Sequence, residues 1–590
     1  MSEILILNRI DDAEFCIKNK LIDNRKILTT HASVNIYLKE LFKIDSKCMC
    51  SLFSNSEIVK TRETLSKKVD SILLELDKHI APQLNKQFNL NMRYFWPLYS
   101  YFGKHHIYMI YFFIEGFKRV ICQYQPTKII LCNGNRTDHF EGITNLSDLL
   151  LSSFKDVHIE VIETYEREEK IKSIPVKLLN IIRKTIDKPD RAIKKLLDIL
   201  YVNIKYRISS KNAKTVLLFE PLHDLTFLKR DLNGYNICYY SHSYSTKALG
   251  FNNLNKRIKV NVDFGNFEYI ENRNAPLIDT FLKDLKADFN KNIETYIDSI
   301  ECLKFETKDD PVSLAIWGNP PALKGKALIF EYLLSKGVPV IGSQHGCKYG
   351  ESHVIVHPES DFKRCDYYFS YGFNAEDLER IFPEEKSLCK IIPVGSTKPD
   401  YSQAKVEVDI FFPLQHTLAM HKSGMSRVRP DILMERQIKI LEYLNSLKRL
   451  LVIIKPFAYS NLETCGALTL LKRMPRLKLI NHLNLVDCLK IYKPKIAIIE
   501  YPSQPLFDCL HTDAEIFLMN DTLSPFEDQA LEELCKRVHF SEELDKFIDL
   551  VDGFILGKIR PKRNDTFYNH YVHKKNRKSN ILQTINNLTQ

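Results

Sequence analysis

The sequence predicts an α/β protein made of two Rossmann-like lobes that face each other across a cleft. Three observations carry this. Short β-branched apolar runs alternate with helix-length stretches in both halves of the chain. Many of those runs stop abruptly at polar turns, as parallel strands do where they empty into ligand-binding loops. A polar stretch from Asp400 to Val408 interrupts the alternation, which then starts again.

At 590 residues the chain is too long for one core. A hydrophobic share of 44% and a charged share of 27% are ordinary for a globular protein. The net charge of +11 suits phosphate-bearing ligands, an anionic membrane surface or nucleic acid, and does not choose among them. The 14 cysteines are scattered, with CxC at Cys48 and Cys50 but no CxxC and no metal-type Cys/His spacing, which fits a reducing compartment. Met1–Asn8 has no basic n-region and enters a strand-like run directly, so no signal peptide is expected. The most apolar segment, Ile107–Ile114, is broken by Glu115 and Lys118 and falls short of the roughly 20 residues of a spanning helix. A cytoplasmic chain, at most peripheral on the inner membrane face, is the expectation.

The first lobe, 1–399, opens with strands at Ile4–Leu7 and Lys26–Thr29. Val34 to about Tyr124 reads as mostly helical. Lys128–Cys132 is a strand that empties into Asn133-Gly134-Asn135, and His158–Ile162 is another. Residues 166–212, rich in Lys, Arg, Ile and Leu, read as a basic helical insertion, either a solvated amphipathic pair or a surface for a polyanion. Thr215–Phe219 resumes the sheet and ends at Glu220-Pro221-Leu222-His223-Asp224. Ile237–Tyr240 follows, then a helical region to about Leu303.

The centre of the first lobe is a βαβ unit. Leu314–Gly318 is a buried strand, Ala322–Gly337 a helix, and Val338–Ser343 a strand closing on Gln344-His345-Gly346. Gly346 lets a substrate approach closely. An imidazole there titrates near neutral pH and can take the proton of an attacking hydroxyl. Gln344 either bonds substrate or caps the strand. Tyr367–Tyr371 and Lys390–Val394 are short strands, the second ending in Gly395-Ser396-Thr397. His357-Pro358 is a further histidine candidate, but it does not end an apolar run.

The second lobe, 400–556, repeats the pattern. Val408–Phe412 ends in Pro413-Leu414-Gln415-His416-Thr417, and Pro430–Leu450 is a helix. Arg449–Ile454 delivers Lys455 and Pro456 to the sheet edge, where the ammonium either snorkels or meets a phosphate. Leu477–Ile480 is a strand and Leu485–Tyr492 a helix. Lys495–Ile499 ends in Glu500-Tyr501-Pro502-Ser503-Gln504 before a helix at Leu506–His511. Ser503 is either a plain N-cap or part of an anion site. Glu500 either bonds a ribose or base or faces solvent. Glu515–Leu518 is the last clear strand. From 557 the chain is a tail with eight Lys or Arg between Lys558 and Lys578, interleaved with Phe567, Tyr568 and Tyr571. It suits an anionic membrane or acceptor, or else a helix near Ile581–Leu588 that crosses back to the first lobe.

From Leu314 to Leu518 the order of these loop motifs resembles the GT-B transferases of bacterial surface polymers. The CDP-glycerol glycerophosphotransferases of teichoic acid synthesis carry Trp-His-Gly where this chain has Gln344-His345-Gly346. They carry His-Pro where it has Lys455-Pro456, and Asp-Tyr-Ser-Ser where it has Glu500-Tyr501-Pro502-Ser503. Capsule-type Kdo and sialic-acid transferases are similar through Gln-His-Gly. The departures are real: lysine cannot act as the same acid/base as the second histidine, Pro502 removes a serine, and one extra residue separates Glu500 from Asp508.

The resemblance implies a GT-B arrangement and transfer of a sugar, favoured as CMP-linked Kdo or a nonulosonic acid, from a nucleotide donor to a glycan or lipid-linked glycan of capsule or lipopolysaccharide type. His345 and Gln344 would be catalytic. Lys455, Pro456, Glu500, Ser503, Gln504 and Ser396 would hold the donor. Asn133, Asn135, Glu220, His223 and Asp224, which follow strands of the first lobe, would meet the acceptor. No acidic pair sits at a strand end, so no metal is expected, and no cofactor or nucleic acid partner either. A teichoic-acid-type polyol-phosphate transferase, a sugar-nucleotide epimerase and a non-catalytic polyanion-binding protein remain alternatives.

Overall fold

The computed structural model describes residues 3–92, 95, 100–132, 146–162, 164, 213–219, 222–240, 275–306, 311–318, 324–353, 361–362, 364–382, 389–397, 401, 404–416, 429–458, 460–462, 464–520 and 525–590. The insertion at 166–212, Asn133, Asn135, Glu220 and the His357-Pro358 pair lie outside them.

Three parallel sheets organise the chain. The first joins β1 (Glu3–Leu7), β2 (Lys26–Thr29), β3 (Ser46–Cys48), β4 (Lys128–Cys132) and β5 (Ile159–Ile162) in the order β3-β2-β1-β4-β5. The second joins β6 (Thr215–Phe219), β7 (Asn236–Tyr240), β8 (Val312–Trp317), β9 (Val340–Ser343), β10 (Tyr367–Ser370) and β11 (Lys390–Pro393) in the order β11-β10-β9-β8-β6-β7. The third joins β12 (Val406–Pro413), β13 (Val452–Lys455), β14 (Leu477–Leu479), β15 (Tyr492–Ile499), β16 (Glu515–Met519) and β17 (Val538–Ser541) in the order β14-β13-β12-β15-β16-β17. Buried on both faces, such strands read as unbroken apolar runs, and β6 and β16 are buried at every residue.

The α/β class and the Rossmann-like sheets agree with expectation. One feature differs: residues 1–399 hold two sheets rather than one. Strand–helix alternation looks the same whether strands join one sheet or two. Which edges pair is decided by long-range contact, and among the described residues β5 closes the first sheet by pairing with β4 alone. Short strands were also hard to read. β3 lies inside a stretch that reads as helical, and β17 carries His539 beside Val538. The helix read at Leu485–Tyr492 stops at Leu489, and Tyr492 already belongs to β15, paired with Val406.

Three long helices, Asn55–Phe88, Ser100–Tyr124 and Ala275–Glu306, pack together as a helical layer. The first opens on a capping box, in which Ser54 Oγ accepts the Glu57 N–H (3.2 Å) and the Glu57 carboxylate accepts the Ser54 N–H (3.4 Å). Tyr108 donates its hydroxyl to the Arg62 carbonyl (3.0 Å), and His106 Nε2 lies 2.7 Å from Asp284 Oδ2.

The tail crosses back. Its helix Arg577–Thr589 buries Ile581 and Ile585 against Val216, Leu218, Leu314 and Ile316 of the second sheet. Most of its basic side chains have intramolecular partners. Lys562 donates to the carbonyls of Cys535 and Val538 (2.6 and 2.9 Å), and Arg563 pairs with Glu515. Lys574 bonds the Asn569 carbonyl, Arg577 the Gly395 carbonyl (2.6 Å), and Lys578 pairs with Asp231 (2.8 Å). Lys562 and Arg563 thus tie the tail to the third-sheet lobe, and Arg577 and Lys578 tie it to elements beside the second sheet. No described helix is long and apolar enough to cross a membrane.

Candidate functional site

Open α/β sheets bind ligands at the carboxyl ends of their strands, where the strand order reverses. In the second sheet that reversal lies between β6 and β8, and in the third between β12 and β15. The two carboxyl edges meet. A Cβ on Gly346, after β9, would stand 3.6 Å from Gln504 Oε1, after β15. Lys348 Nζ reaches the Tyr501 hydroxyl across the same seam. Ser352 forms an antiparallel bridge with Phe526. The second and third sheets therefore face each other as the two lobes of the GT-B arrangement.

His345 leaves β9 at this seam. Its ring is stacked on that of His223, 6.1 Å between centroids at 21°. The Tyr349 hydroxyl lies 3.0 Å from Nδ1 and 3.1 Å from Nε2, and Asp361 Oδ1 is 4.0 Å from Nδ1. Burial, and then the neighbouring His223, push the imidazole down to about 3, so it is neutral at pH 7. About a quarter of the side chain is still exposed, which leaves it reachable. Tyr349 and Asp361 were not anticipated. Tyr349 stands only four residues on, but no periodicity marks a phenol that folds back onto its own loop.

Gln344 engages backbone at the end of its strand. Its Nε2 donates to the Gly346 carbonyl (2.7 Å), and its Oε1 accepts the Tyr371 N–H (2.6 Å). The side chain is wholly buried. Both ends of the amide hold backbone, so Gln344 shapes the loop that presents His345.

On the third sheet, Glu500 is buried at the reversal point. Its Oε1 accepts the Gln415 N–H (2.7 Å) and Gln437 Nε2 (2.8 Å). Burial raises the carboxyl to about 8 against those bonds, so it holds its proton at neutral pH. Ser503 precedes the short helix Gln504–Leu510 but does not cap it. Its hydroxyl instead accepts from Gln415 Nε2 and donates to the Tyr501 carbonyl (3.3 Å). Gln504 Nε2 donates to Asp508 Oδ1 (2.8 Å), and burial followed by Asp224 raises Asp508 to about 7. Gln415 was visible as a strand-end polar residue without an assigned role. Gln437 comes from the helix Pro430–Ser446 and had no signal of its own.

Lys455 neither snorkels nor extends. It is 2% exposed, and its ammonium bonds the Pro456 carbonyl, which anchors the turn after β13. Burial lowers its pKa. Ser396 Oγ lies 2.8 Å from His511 Nε2, and the Ser396 N–H donates to the Val572 carbonyl (2.8 Å), which makes it a joint between both lobes and the tail. Asp224 accepts the Thr397 N–H (2.9 Å) at Oδ2, and its carbonyl accepts Arg577 (3.1 Å). It is engaged with the tail, whereas His223 stands at the centre beside His345. Among the described residues no three His, Cys, Asp or Glu side chains gather as a metal site.

Among solved structures the chain is similar to the UDP-GlcNAc 2-epimerase of Neisseria meningitidis bound to UDP-GlcNAc, at 12% identity and TM-score 0.36 over 63% of this chain and 100% of that one. It is similar to the UDP-GlcNAc 2-epimerase of Methanocaldococcus jannaschii, at 12% identity and TM-score 0.38 over 64% and 99%. A glycosyltransferase from Rickettsia africae stands at 11% identity and TM-score 0.36 over 64% and 98%. Likeness at that level carries no argument about activity, and the fold assignment rests on the strand order itself. No curated protein matches the chain. Residues 159–535, more than half of the sequence and including both facing edges, match the LIC12162 family transferase, and the chain belongs to that family.

Proposed function

We propose that this transferase is a glycosyltransferase that moves a sugar from a nucleotide donor to a glycan acceptor. The observation that carries the reading is the seam itself, where the loop that carries His345 meets the loop after β15: a Cβ on Gly346 would stand 3.6 Å from Gln504 Oε1, and Lys348 reaches the Tyr501 hydroxyl. The donor would lie against the third sheet, with Glu500 as a neutral hydrogen-bonding carboxyl and Ser503 beside it. The acceptor would enter on the side of His223.

In this reading the neutral His345 accepts the proton of the acceptor hydroxyl. The oxygen then forms a bond to the anomeric carbon, the bond from that carbon to the donor phosphate breaks, and the nucleotide leaves with the electron pair. Asp361 is placed to steady the imidazolium that results. The favoured donor is a CMP-linked Kdo or nonulosonic acid, on the resemblance of Gln344-His345-Gly346 to the capsule enzymes, and the favoured acceptor is a bacterial surface glycan.

Incubation with CMP-Kdo, CMP-sialic acid, CDP-glycerol and UDP-GlcNAc, each with and without a glycan acceptor, tests this. Acceptor-dependent release of CMP from CMP-Kdo or CMP-sialic acid is expected, and it should survive EDTA. Acceptor-independent conversion of UDP-GlcNAc would make the chain an epimerase. Acceptor-dependent transfer of glycerol phosphate from CDP-glycerol, with CMP as the leaving group, would make it a polyol-phosphate transferase. Glycan binding without turnover would make it a polyanion-binding protein.

A further inference from the structure

Phe457 is 49% exposed, more than any other large apolar side chain among the described residues except Leu556. It comes directly after β13 in the turn Lys455-Pro456-Phe457, at the carboxyl edge of the third sheet. His416, after the neighbouring β12, packs against one side of its ring, with centroids 4.2 Å apart at 43°. Gln415, one residue before His416, gives its N–H to Glu500. An exposed ring thus stands at the end of the same sheet edge that holds the Glu500 cluster.

The support behind that ring is built. His416 Nε2 lies 3.1 Å from Ser460 Oγ. Ser460 donates its hydroxyl to the Phe457 carbonyl (2.9 Å) and its N–H to Asn481 Oδ1 (3.2 Å), and Asn481 Nδ2 donates back to the Ser460 carbonyl (2.9 Å). On the other side the buried Lys455 bonds the Pro456 carbonyl. Burial lowers His416, which keeps its ring neutral and apolar enough to back a phenyl group. Leaving an aromatic face in water forgoes the burial that normally rewards it. A turn anchored on both sides presents that face with little ordering cost left to a ligand.

We propose that Phe457, backed by His416, is a stacking platform for the planar base of the nucleotide donor. The proposal rests on the nucleotide-donor reading above and adds to it the place where the base lies and the residue that holds it. Base–aromatic stacking tolerates different bases because every base has a π-face. The platform therefore contributes affinity for the aromatic part of the donor, while polar groups elsewhere on the edge would choose the base.

Calorimetric titration with CMP, UMP and ribose 5-phosphate tests this in the full chain, using wild type, Phe457→Ala and Phe457→Leu. Leucine keeps apolar bulk and removes the ring, and a half-exposed side chain can be changed without unfolding, which a melting curve checks. The expected result is about a tenfold weaker affinity for CMP or UMP in both variants, with ribose 5-phosphate unchanged. If wild type binds CMP or UMP and both variants bind them equally well, the platform is wrong and the donor reading stands. Loss of ribose 5-phosphate along with the nucleotides would also overturn the platform, because the turn rather than the ring would then be at work. If wild type binds neither CMP nor UMP, the nucleotide-donor reading falls and the platform with it.

Discussion

His570 Nε2 lies 3.2 Å from Asp377 Oδ2. Its other nitrogen, Nδ1, lies 3.1 Å from Glu533 Oε2. Asp377 belongs to the helix Ala375–Ile381 beside the second sheet, and Glu533 to the helix Asp528–Cys535 beside the third. An imidazole from the tail thus pins both lobes, and it satisfies both carboxylates only when each nitrogen carries a proton.

The pin makes stability depend on pH. The hydrogen bond to Asp377 is the largest reason His570 is raised, partly offset by burial. Burial pushes Asp377 up, but hydrogen bonds from His570 and Asn374 outweigh it and hold the carboxyl below its usual value. The His570 contribution is complete below about 6.5, the ordinary histidine value, and is lost as pH rises through the raised folded value. The Asp377 contribution is present above the ordinary aspartate value and is lost as pH falls through the lowered one. His570→Gln should therefore cost about 1–3 kcal/mol near pH 6, and much less near pH 9. Melting temperatures of the two proteins across that range check it, and a gap independent of pH would show that the pin is not ionic.

Removing the tail should unfold the second sheet and the part of the first lobe built on it rather than spare them. A chain ending at Leu556 strips Ile581 and Ile585 from the core around Val216, Leu218 and Ile316. Ile585→Ala alone should cost roughly 2–5 kcal/mol. Chemical denaturation of the point variant and size-exclusion chromatography of the truncated chain read this out. A truncated chain that stays monomeric with an unchanged melting temperature would contradict the packing.

His345→Ala should lower turnover by roughly 10²–10⁴ and leave the melting temperature nearly unchanged. Because burial and His223 hold the imidazole down to about 3, it remains unprotonated well below pH 6. The acid limb of kcat/KM should accordingly fall below pH 6 instead of near 6.5. A limb at 6.5 or above that vanishes in the variant would place His345 in a wetter site than the one described.

Glu500→Gln should stabilise the ligand-free protein at neutral pH. The unfolded carboxyl ionises near 4.5 and the folded one at about 8, so between those values folding must return a proton to it. Stability lost to this grows as pH climbs from 4.5 to 8. Glutamine keeps an acceptor for the Gln415 N–H and for Gln437 without that cost. The melting-temperature advantage of the variant should widen with pH up to about 8, and a constant difference would contradict the buried neutral carboxyl.

Two glycines of one loop should respond differently. A Cβ at Gly350 would meet Phe373 Cβ at 2.1 Å, so Gly350→Ala should destabilise by at least about 1–3 kcal/mol. Among the described residues a Cβ at Gly346 meets only Gln504 Oε1, at 3.6 Å, and Gly346→Ala should leave the melting temperature within a degree or two while filling part of the seam beside His345. Thermal melts of both variants, with donor titration of the second, decide it.

The strand ends were the legible part of the site. Gln344-His345-Gly346 and Glu500-Tyr501-Pro502-Ser503 each come after an unbroken apolar run, and a parallel strand must deliver the residues after it to the carboxyl edge. The work those residues do at the edge was less legible. Gln344 read equally as a substrate contact or a strand cap, and Lys455 as a snorkelling side chain or a phosphate contact; in the fold Gln344 bonds backbone at both ends of its amide and Lys455 is buried on the Pro456 carbonyl. Both outcomes depend on partners one or two residues away whose backbone direction the side-chain pattern does not encode. Gln437, which meets Glu500 from 63 residues away, could not be found without the fold.

By itself the sequence determined the α/β class, nearly every long strand and the loops that form the two facing edges, because apolar periodicity and strand-ending turns are local properties of the chain. The tertiary structure alone decided that the first half holds two sheets, that the basic tail is a strap between lobes, and which polar groups at the seam are engaged and which are presented. These are settled by pairing and burial between residues hundreds of positions apart. A lysine or histidine has the same local signature whether it meets solvent, a carboxylate or a carbonyl, and only its neighbours in space determine its charge and its work.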